Sequence, residues 1–256
     1  MSKEKTLGNR MKEYEAVPKL FLTLGTPKII RLDMRAGHTF TKGFERPFDE
    51  VFSDCMIETT IELCNSIQGV VAGYTQSDEI SLILNDKIKG GYGCFFDGNV
   101  EKIVSISASI STLEFNKAFF EKASKLEGTV YNKRLWKAQF DSRVFCLPNT
   151  TELYNYILWR KQDAERNSIQ MVGHANFSDK QMHLKNTSQI QDMLMLEKGI
   201  NWNNFKSRYK RGAIVFRELY TKKVDDNEVI RSRWAEQELP QTLTIEYIES
   251  IYNKED

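Results

Sequence analysis

The chain has no apolar run approaching the roughly eighteen residues that a membrane-crossing helix requires, and its opening Met1-Ser2-Lys3-Glu4-Lys5 has no apolar stretch behind the charges. Neither a membrane span nor a secretory leader is expected, and the cytoplasm is the expected compartment. Cysteine is scarce: Cys55, Cys64, Cys94 and Cys146 form no C-x-x-C pair, and His38, His174 and His183 complete no zinc-binding spacing. Reduced, mostly buried thiols follow. An excess of one charge is also missing, since a net charge of +1 draws no polyanion to the whole molecule. Nucleic acid would have to be held by local clusters, and Lys133-Arg134 with Lys137, and Arg208 with Lys210-Arg211, are the two candidates. Each reads equally well as a solvated face. No internal repeat or low-complexity linker divides the chain.

What is present suits a globular protein: 256 residues, 41% hydrophobic and 28% charged, enough for one generous domain or two small ones. A β-rich run from Lys28 to Arg35 precedes Gly37 and a loop at Thr39–Gly43. Phe48, Val51, Phe52, Cys55, Thr59, Leu63, Cys64 and Ile67 then recur at three- and four-residue steps, which predicts a helix ended by Gly69. Val70–Tyr74 and Ile80–Leu84, separated by Thr75-Gln76-Ser77-Asp78-Glu79, predict an antiparallel hairpin with Asp78 at or near its tip. After a break at Gly90-Gly91 and Gly93 comes a possible short strand at Cys94-Phe95-Phe96, then a helix from Asn99 to about Lys125 and a strand from Ala138 to Leu147, stopped by Pro148.

The first 147 residues thus read β-α-β-β-α-β, an α+β, ferredoxin-like order with both helices on one face of an antiparallel sheet. Residues 148–256 read as a mainly helical part packed on that sheet. Asn149 and Glu152 suggest a capping box for a helix over Leu153–Val172, and Met193–Ile200 a further helix ended near Gly199. A strand at Gly212–Phe216 and a closing helix or strand at Leu243–Tyr252, with an acidic tail, complete the reading.

Topology is what makes the chemistry plausible. In that fold the first strand neighbours the central hairpin, so Asp33 and Asp78 fall at the same sheet edge. A carboxylate at a buried strand end costs desolvation energy that a divalent cation offsets, and two of them suit a pair of ions about 3.5–4 Å apart. Mg²⁺ is the natural choice for all-oxygen ligands that include a triphosphate. A lone Asp there would equally be a turn-forming or capping residue. The loop Asp33-Met34-Arg35-Ala36-Gly37-His38 has two small residues where backbone N–H groups approach an anion. Arg31 and Arg35 add charge, and Lys102 at the start of the second long helix would reach the same edge or serve as a surface ion-pair partner. His38 reads as a loop or triphosphate contact rather than a general base.

Taken together, Arg31-Leu32-Asp33-Met34-Arg35 with His38 and Phe40, Phe44-Glu45-Arg46-Pro47, Gln76-Ser77-Asp78-Glu79, Phe140-Asp141-Ser142-Arg143-Val144 and Trp159-Arg160-Lys161-Gln162-Asp163 resemble the tRNA-histidine guanylyltransferase family and its bacterial, archaeal and phage guanylyltransferase-like relatives. The resemblance runs in order from about Gly8 to Phe216. It implies a polymerase-type palm and Mg²⁺-dependent addition of nucleotides in the 3′-to-5′ direction to a tRNA 5′ end, with ATP activating the 5′-phosphate and GTP as incoming nucleotide. It implies two Mg²⁺ ions held by Asp33, the Met34 carbonyl and Asp78, with Glu79 as the acidic neighbour. Nucleotide contacts are implied for Arg31, Asp33, Met34, Arg35, Ala36, Gly37, His38, Ser77, Asp78 and Lys102. It implies a homo-oligomer, a tetramer, with tRNA and nucleoside triphosphates as partners and no membrane.

Two departures matter. Where the family has Asp-Gly this chain has Asp33-Met34, which a backbone-carbonyl ligand tolerates unless the position needs positive φ. Where eukaryotic members carry His-Ile-Asn-Asn-Leu-Tyr-Asn, this chain has Glu165-Arg166-Asn167-Ser168-Ile169-Gln170-Met171, keeping only the first Asn. That favours templated repair of shortened tRNAs over addition of a single G to tRNA-histidine. A non-catalytic RNA-recognition module shares the element order, but Ile29, Ile30, Val70, Val71 and Leu82 leave few aromatics for stacking bases on its strands. A nucleotide cyclase shares the two-Asp arrangement and would need no RNA.

Overall fold

Seven strand residues in a row, Lys28–Met34 (β1), are buried or half-buried, because this strand sits inside a six-stranded antiparallel sheet rather than at its rim. The computed structural model describes residues 6–88, 91–126, 129–224 and 227–253; the first five residues, Gly90 of the expected glycine break and the acidic end fall outside these. In chain order the elements are α1 (Leu7–Ala16), β1, α2 (Gly37–Phe40), α3 (Glu50–Ser66), β2 (Val70–Gln76), β3 (Glu79–Leu84), β4 (Lys87–Ile88), β5 (Gly91–Tyr92), α4 (Val100–Ala123), β6 (Phe140–Cys146), α5 (Thr150–Asn176), α6 (Asp179–Met182), α7 (Thr187–Lys198), α8 (Ser207–Arg211), β7 (Ala213–Val224), β8 (Asn227–Glu238) and α9 (Ile245–Tyr252). The sheet order is β6-β1-β3-β2-β7-β8.

Strand alternation assigns each β1 side chain to one of two cores. Ile30, Leu32 and Met34 face α3 and α4, where Phe40, Phe44, Phe52, Phe115 and Phe119 form an aromatic cluster with ring centroids 5.3–6.3 Å apart. Ile29 joins Ala72, Tyr74 and Ile83 on the opposite face, under Leu153, Tyr156 and Ile157 of α5 and Ile248 and Ile251 of α9. A third cluster, Ile169, Val172, Ile190 and Leu194, fastens α7 to α5. The two helices expected on one face are there, and the second face is covered by helices from beyond Pro148.

The helix starts follow local chemistry. Asp49 caps α3 by accepting the Phe52 N–H at 2.8 Å, and Asn99 caps α4 by accepting the Lys102 N–H at 3.0 Å. Asn149 likewise accepts the Glu152 N–H at 2.9 Å, but the Glu152 carboxylate takes the Asn155 amide instead of returning to the cap, so the expected box is half-formed. Gly199 ends α7 in the left-handed region, φ 66°, where a glycine costs least.

Two expectations need correction, and one helix carried no expectation at all. Phe95–Gly98 is a tight 3₁₀ turn with Phe96 and Asp97 at positive φ, not a strand. α1, exposed along its whole length, had no periodic signal. Helices make up most of the C-terminal part, but the strand expected to end at Phe216 runs from Ala213 to Val224 and turns back as β8, two twelve-residue strands paired throughout. Only Ala213–Phe216 pair with β2. Beyond them the hairpin leaves the layers, so Arg217, Glu218, Lys222 and Lys223 need show no alternation, and the sequence carried none.

Candidate active site

Antiparallel register sets rows of side chains across the sheet. Asp33 lies opposite Glu79 on β3 and opposite Asp141 on β6, and Gln76 lies opposite Glu79, so one row reads Gln76-Glu79-Asp33-Asp141. The neighbouring row reads Tyr74-Ser81-Arg31-Arg143. A line of carboxylates thus abuts a line carrying two arginines, at the end of the sheet where β1 leaves it.

The β2–β3 connection is two residues long. Ser77 takes φ 51°, the left-handed conformation such a tight hairpin turn demands, and Asp78 follows it. The Met34 N–H donates to the Asp78 carbonyl at 3.0 Å, fixing the turn to the end of β1. Ala36, at φ 54°, then bends the chain into α2. A methyl group at Gly37 would lie 1.9 Å from the Asp78 carboxylate, so glycine lets the loop approach the turn without displacing that carboxylate. Met34 is absent from the positive-φ positions and its side chain is buried in the α3–α4 core, so replacing the family's glycine there imposes no backbone strain.

Negative charge accumulates here and is only partly offset by the neighbouring arginines. The Asp33 carboxyl is raised above its ordinary range, first by burial, then by the repulsion of Asp78 and Asp141, with Arg31 and Arg143 opposing. Neither Asp33 nor Asp78 has a salt-bridge partner among the described residues. Among those residues no three His, Cys, Asp or Glu side chains converge tightly enough to cage a metal ion by themselves. A cation at Asp33 and Asp78 would therefore complete its shell with backbone and substrate oxygens, the hard donor set that Mg²⁺ takes.

Glu79 stands in the same row and behaves differently. It is 3% exposed and gripped bidentately by Arg160 of α5, Nε to Oε1 at 2.8 Å and Nη2 to Oε2 at 2.9 Å, while Arg31 donates to it from β1. Burial raises its carboxyl above the ordinary range, and the Arg160 and Arg31 guanidiniums oppose the rise only in part. Arg160 also reaches Asp163 at 3.1 Å, and its guanidinium lies 4.5 Å from the Trp159 ring centroid. Glu79 and Arg31 therefore hold β1, β3 and α5 in register, with their polar groups turned to each other.

Of the residues expected at this edge, the structure gathers Asp33, Met34, Arg35, Ala36, Gly37, His38, Ser77 and Asp78. Arg35 is exposed, tied to Gln139 through its backbone N–H and its guanidinium, both at 2.8 Å. Lys102 is not gathered. The Phe140 N–H, at the carboxylate end of β6, donates to Thr112 Oγ1 on α4 at 3.1 Å, and Lys102 lies ten residues earlier, about 15 Å back along the helix. Its ammonium instead sits 5.9 Å from the Phe96 ring centroid. Two participants had no assigned role beforehand, Asp141 and Arg160. Only strand register reveals the first, and only the packing of α5 reveals the second.

Beside the carboxylates opens a cleft of about 790 Å³ whose walls include His38, Lys42, Arg46, Ser77, Asn167 and Tyr209. One wall is stiffened by the Phe48 and Tyr209 rings, stacked at 4.8 Å and 6°. Its size suits a nucleotide-scale ligand.

Comparison with known proteins converges on one family. The family model described as Thg1, tRNAHis guanylyltransferase, matches residues 8–148. A bacterial tRNA(His) guanylyltransferase (Thg1)-like protein solved with ATP is similar at 39% identity and TM-score 0.79, over 91% of this chain and 92% of that one. A second such structure, solved with GTP, is similar at 34% identity and TM-score 0.77, over 98% and 100%. The tRNA(His) guanylyltransferase of Debaryomyces hansenii is 29% identical over 223 residues, 80% of this chain and 79% of its own.

Proposed function

The chain belongs to the tRNAHis guanylyltransferase family, whose members are nucleotidyltransferases, and from that premise we propose that it is a Mg²⁺-dependent 3′-to-5′ nucleotidyltransferase that rebuilds tRNA 5′ ends. The observation that carries the reading is the meeting of Asp33 and Asp78 at one sheet edge, beside a nucleotide-sized cleft. The strand order β6-β1-β3-β2 with α3 and α4 on one face supports a palm-type, ferredoxin-like unit over residues 1–147, with 148–256 packed on it.

In this reading Asp33, Asp78 and the Met34 carbonyl would hold Mg²⁺, which when bound would supply Lewis-acid polarisation of phosphoryl oxygens and lower the pKa of an attacking hydroxyl. The residues of the chain then do the positioning that phosphoryl transfer chiefly needs. Ala36, Gly37 and His38 offer backbone N–H groups to a polyphosphate, Arg35 adds a cation, and Ser77 lines the cleft. The Arg31–Glu79–Arg160 cluster keeps the carboxylate row from shifting. The tRNA 5′-phosphate attacks the α-phosphorus of ATP with loss of pyrophosphate. The 3′-hydroxyl of GTP, or of a templated nucleotide, next attacks the activated 5′-phosphorus with loss of AMP and of the hydroxyl proton.

The ATP- and GTP-bound bacterial relatives support both nucleotides as substrates. Assembly as a homotetramer, which rests on the family resemblance, and a cytoplasmic address, which rests on the sequence pattern, belong to the same proposal. A second reading, addition of a single G to tRNA-histidine, is favoured by the names of the fungal relatives. The deciding experiment offers labelled 5′-monophosphorylated and 5′-shortened tRNAs with ATP and each nucleoside triphosphate, with and without Mg²⁺. Templated extension of shortened tRNAs is the expected result. Addition of one G to full-length tRNA-histidine alone would establish the second reading, and no extension of any tRNA would defeat both.

A further inference from the structure

Lys133-Arg134 with Lys137 is one of the two basic clusters in the sequence, and the carboxylate site makes no use of it. It sits on a short helical turn, Tyr131–Arg134, and the stretch leading into β6. Between its cations stands Trp136, 58% exposed and at φ 60°, a left-handed conformation rare for a bulky residue. The indole has one aromatic neighbour, Phe120 of α4, with centroids 5.3 Å apart and planes at 32°. Phe120 and Leu113 on the same helix are themselves 41% and 51% exposed. A cleft of about 860 Å³ opens here, lined among others by Arg35, Ser109, Leu113, Asn116, Trp136 and Gln139.

The surroundings of this aromatic surface select its occupant. Lys133 and Lys137 are exposed and, among the described residues, form no salt bridge. Among the described residues, Arg134 reaches only the Lys42 carbonyl, at 3.4 Å, and its buried Nε has no partner. One carboxylate, Asp141, borders the cleft, and it is paired to Arg143 at 3.2 Å. The segment also bridges the two parts of the site. Tyr131 packs on Phe44 at 4.7 Å and donates to Asp49 at 2.5 Å, both in the wall of the nucleotide cleft, while Gln139 holds Arg35 at the end of β1. Exposed rings interleaved with cations that lack counter-charges match a chain of stackable bases joined by phosphates better than an apolar protein face.

We propose that residues 131–137, together with Arg35 and the outer face of α4, form the bed for the RNA strand nearest the reacting 5′ end, with Trp136 as its base-stacking platform. This rests on the reading of the protein as an enzyme of tRNA 5′ ends. Lys133 and Lys137 take phosphates, and Trp136 with Phe120 takes an unpaired base.

The test compares wild type, Trp136→Ala, Trp136→Phe and the double variant Lys133→Ala/Lys137→Ala, each first checked for an unchanged melting temperature. Binding of a 5′-monophosphorylated tRNA transcript is measured by fluorescence anisotropy over a series of salt concentrations. Trp136→Ala is expected to weaken binding about tenfold, in line with the loss of one stacked base, and Trp136→Phe to restore most of it. The lysine double variant is expected to reduce the slope of log affinity against log salt by about one to two. In turnover, Trp136→Ala raises KM for tRNA while kcat at saturating tRNA holds. Affinities within twofold of wild type for both Trp136→Ala and the lysine variant would overturn the proposal. So would light scattering that shows Trp136→Ala breaking an oligomer while affinity per protomer is unchanged, because the patch would then bind a second copy. Failure of the functional reading is distinct: wild type would extend no tRNA, whatever these binding constants are.

Discussion

The two ends of the β1–β3 pair treat buried charge in opposite ways. At the far end Lys28, wholly buried, pairs with Asp86, itself 2% exposed in its side chain, and Asp86 also accepts the Gly25 N–H at 3.0 Å. At the near end Asp33, Asp78 and Asp141 crowd one another, and burial first, then the repulsion of Asp78 and Asp141, raises the Asp33 carboxyl. The first end neutralises itself and serves the fold. The second leaves Asp33 and Asp78 without an ion-pair partner among the described residues, a charge that a protein retains when something outside the chain supplies the positive one.

Breaking the near end should abolish chemistry and spare the fold. Asp33→Asn or Asp78→Asn is expected to slow nucleotide transfer by on the order of 10³-fold, the scale of losing a charge-stabilising contact in a phosphoryl transfer. Single-turnover GTP addition, run beside urea denaturation, measures both quantities. Wild-type rates in either variant would remove these residues from the site.

Breaking the far end should do the reverse. Asp86→Ala leaves the Lys28 ammonium buried without its carboxylate, and a loss of about 3–5 kcal/mol of unfolding free energy is expected in urea. A loss below about 1 kcal/mol would show that the pair is not what closes that end. A subtler probe is Gly37→Ala, whose methyl would meet the Asp78 carboxylate at 1.9 Å. The carboxylate must swing away, so activity should fall about 10- to 100-fold while stability changes by less than about 1 kcal/mol. Equal activity would show that the orientation of Asp78 is not limiting.

The smallest effect sharpens the comparison by its sign. The pKa of Asp33 is higher in the folded state than in the unfolded one, so its ionisation costs stability. That cost is absent below the unfolded pKa, near 4, and appears in full once pH rises past the folded value. Asp33→Asn should therefore stabilise the metal-free protein at pH 7, by less than about 1 kcal/mol because the carboxyl is part-exposed and screened, with the gain vanishing towards pH 4. Melting temperatures across pH would report it, and a gain that grew in acid would contradict the repulsion described here.

Local patterning determined a good deal by itself. The periodicity of α3 and α4, a hairpin with Asp78 at or near its tip, the Asn149 cap and the position of Asp33 at a strand end were legible, because each is written within a short stretch of chain, although the connection proved two residues long where five were expected. Tertiary structure alone decided the rest. Register set Asp141 beside Asp33, the packing of α5 brought Arg160 onto Glu79, and the direction of α4 carried Lys102 to the far end. The β7–β8 arm beyond Phe216 is mostly exposed and scatters Leu219, Tyr220 and Ile230 among charged residues, so it left no alternation to read. Pairing and packing join residues dozens to more than a hundred positions apart, and their energy lies in contacts that no short window of sequence contains.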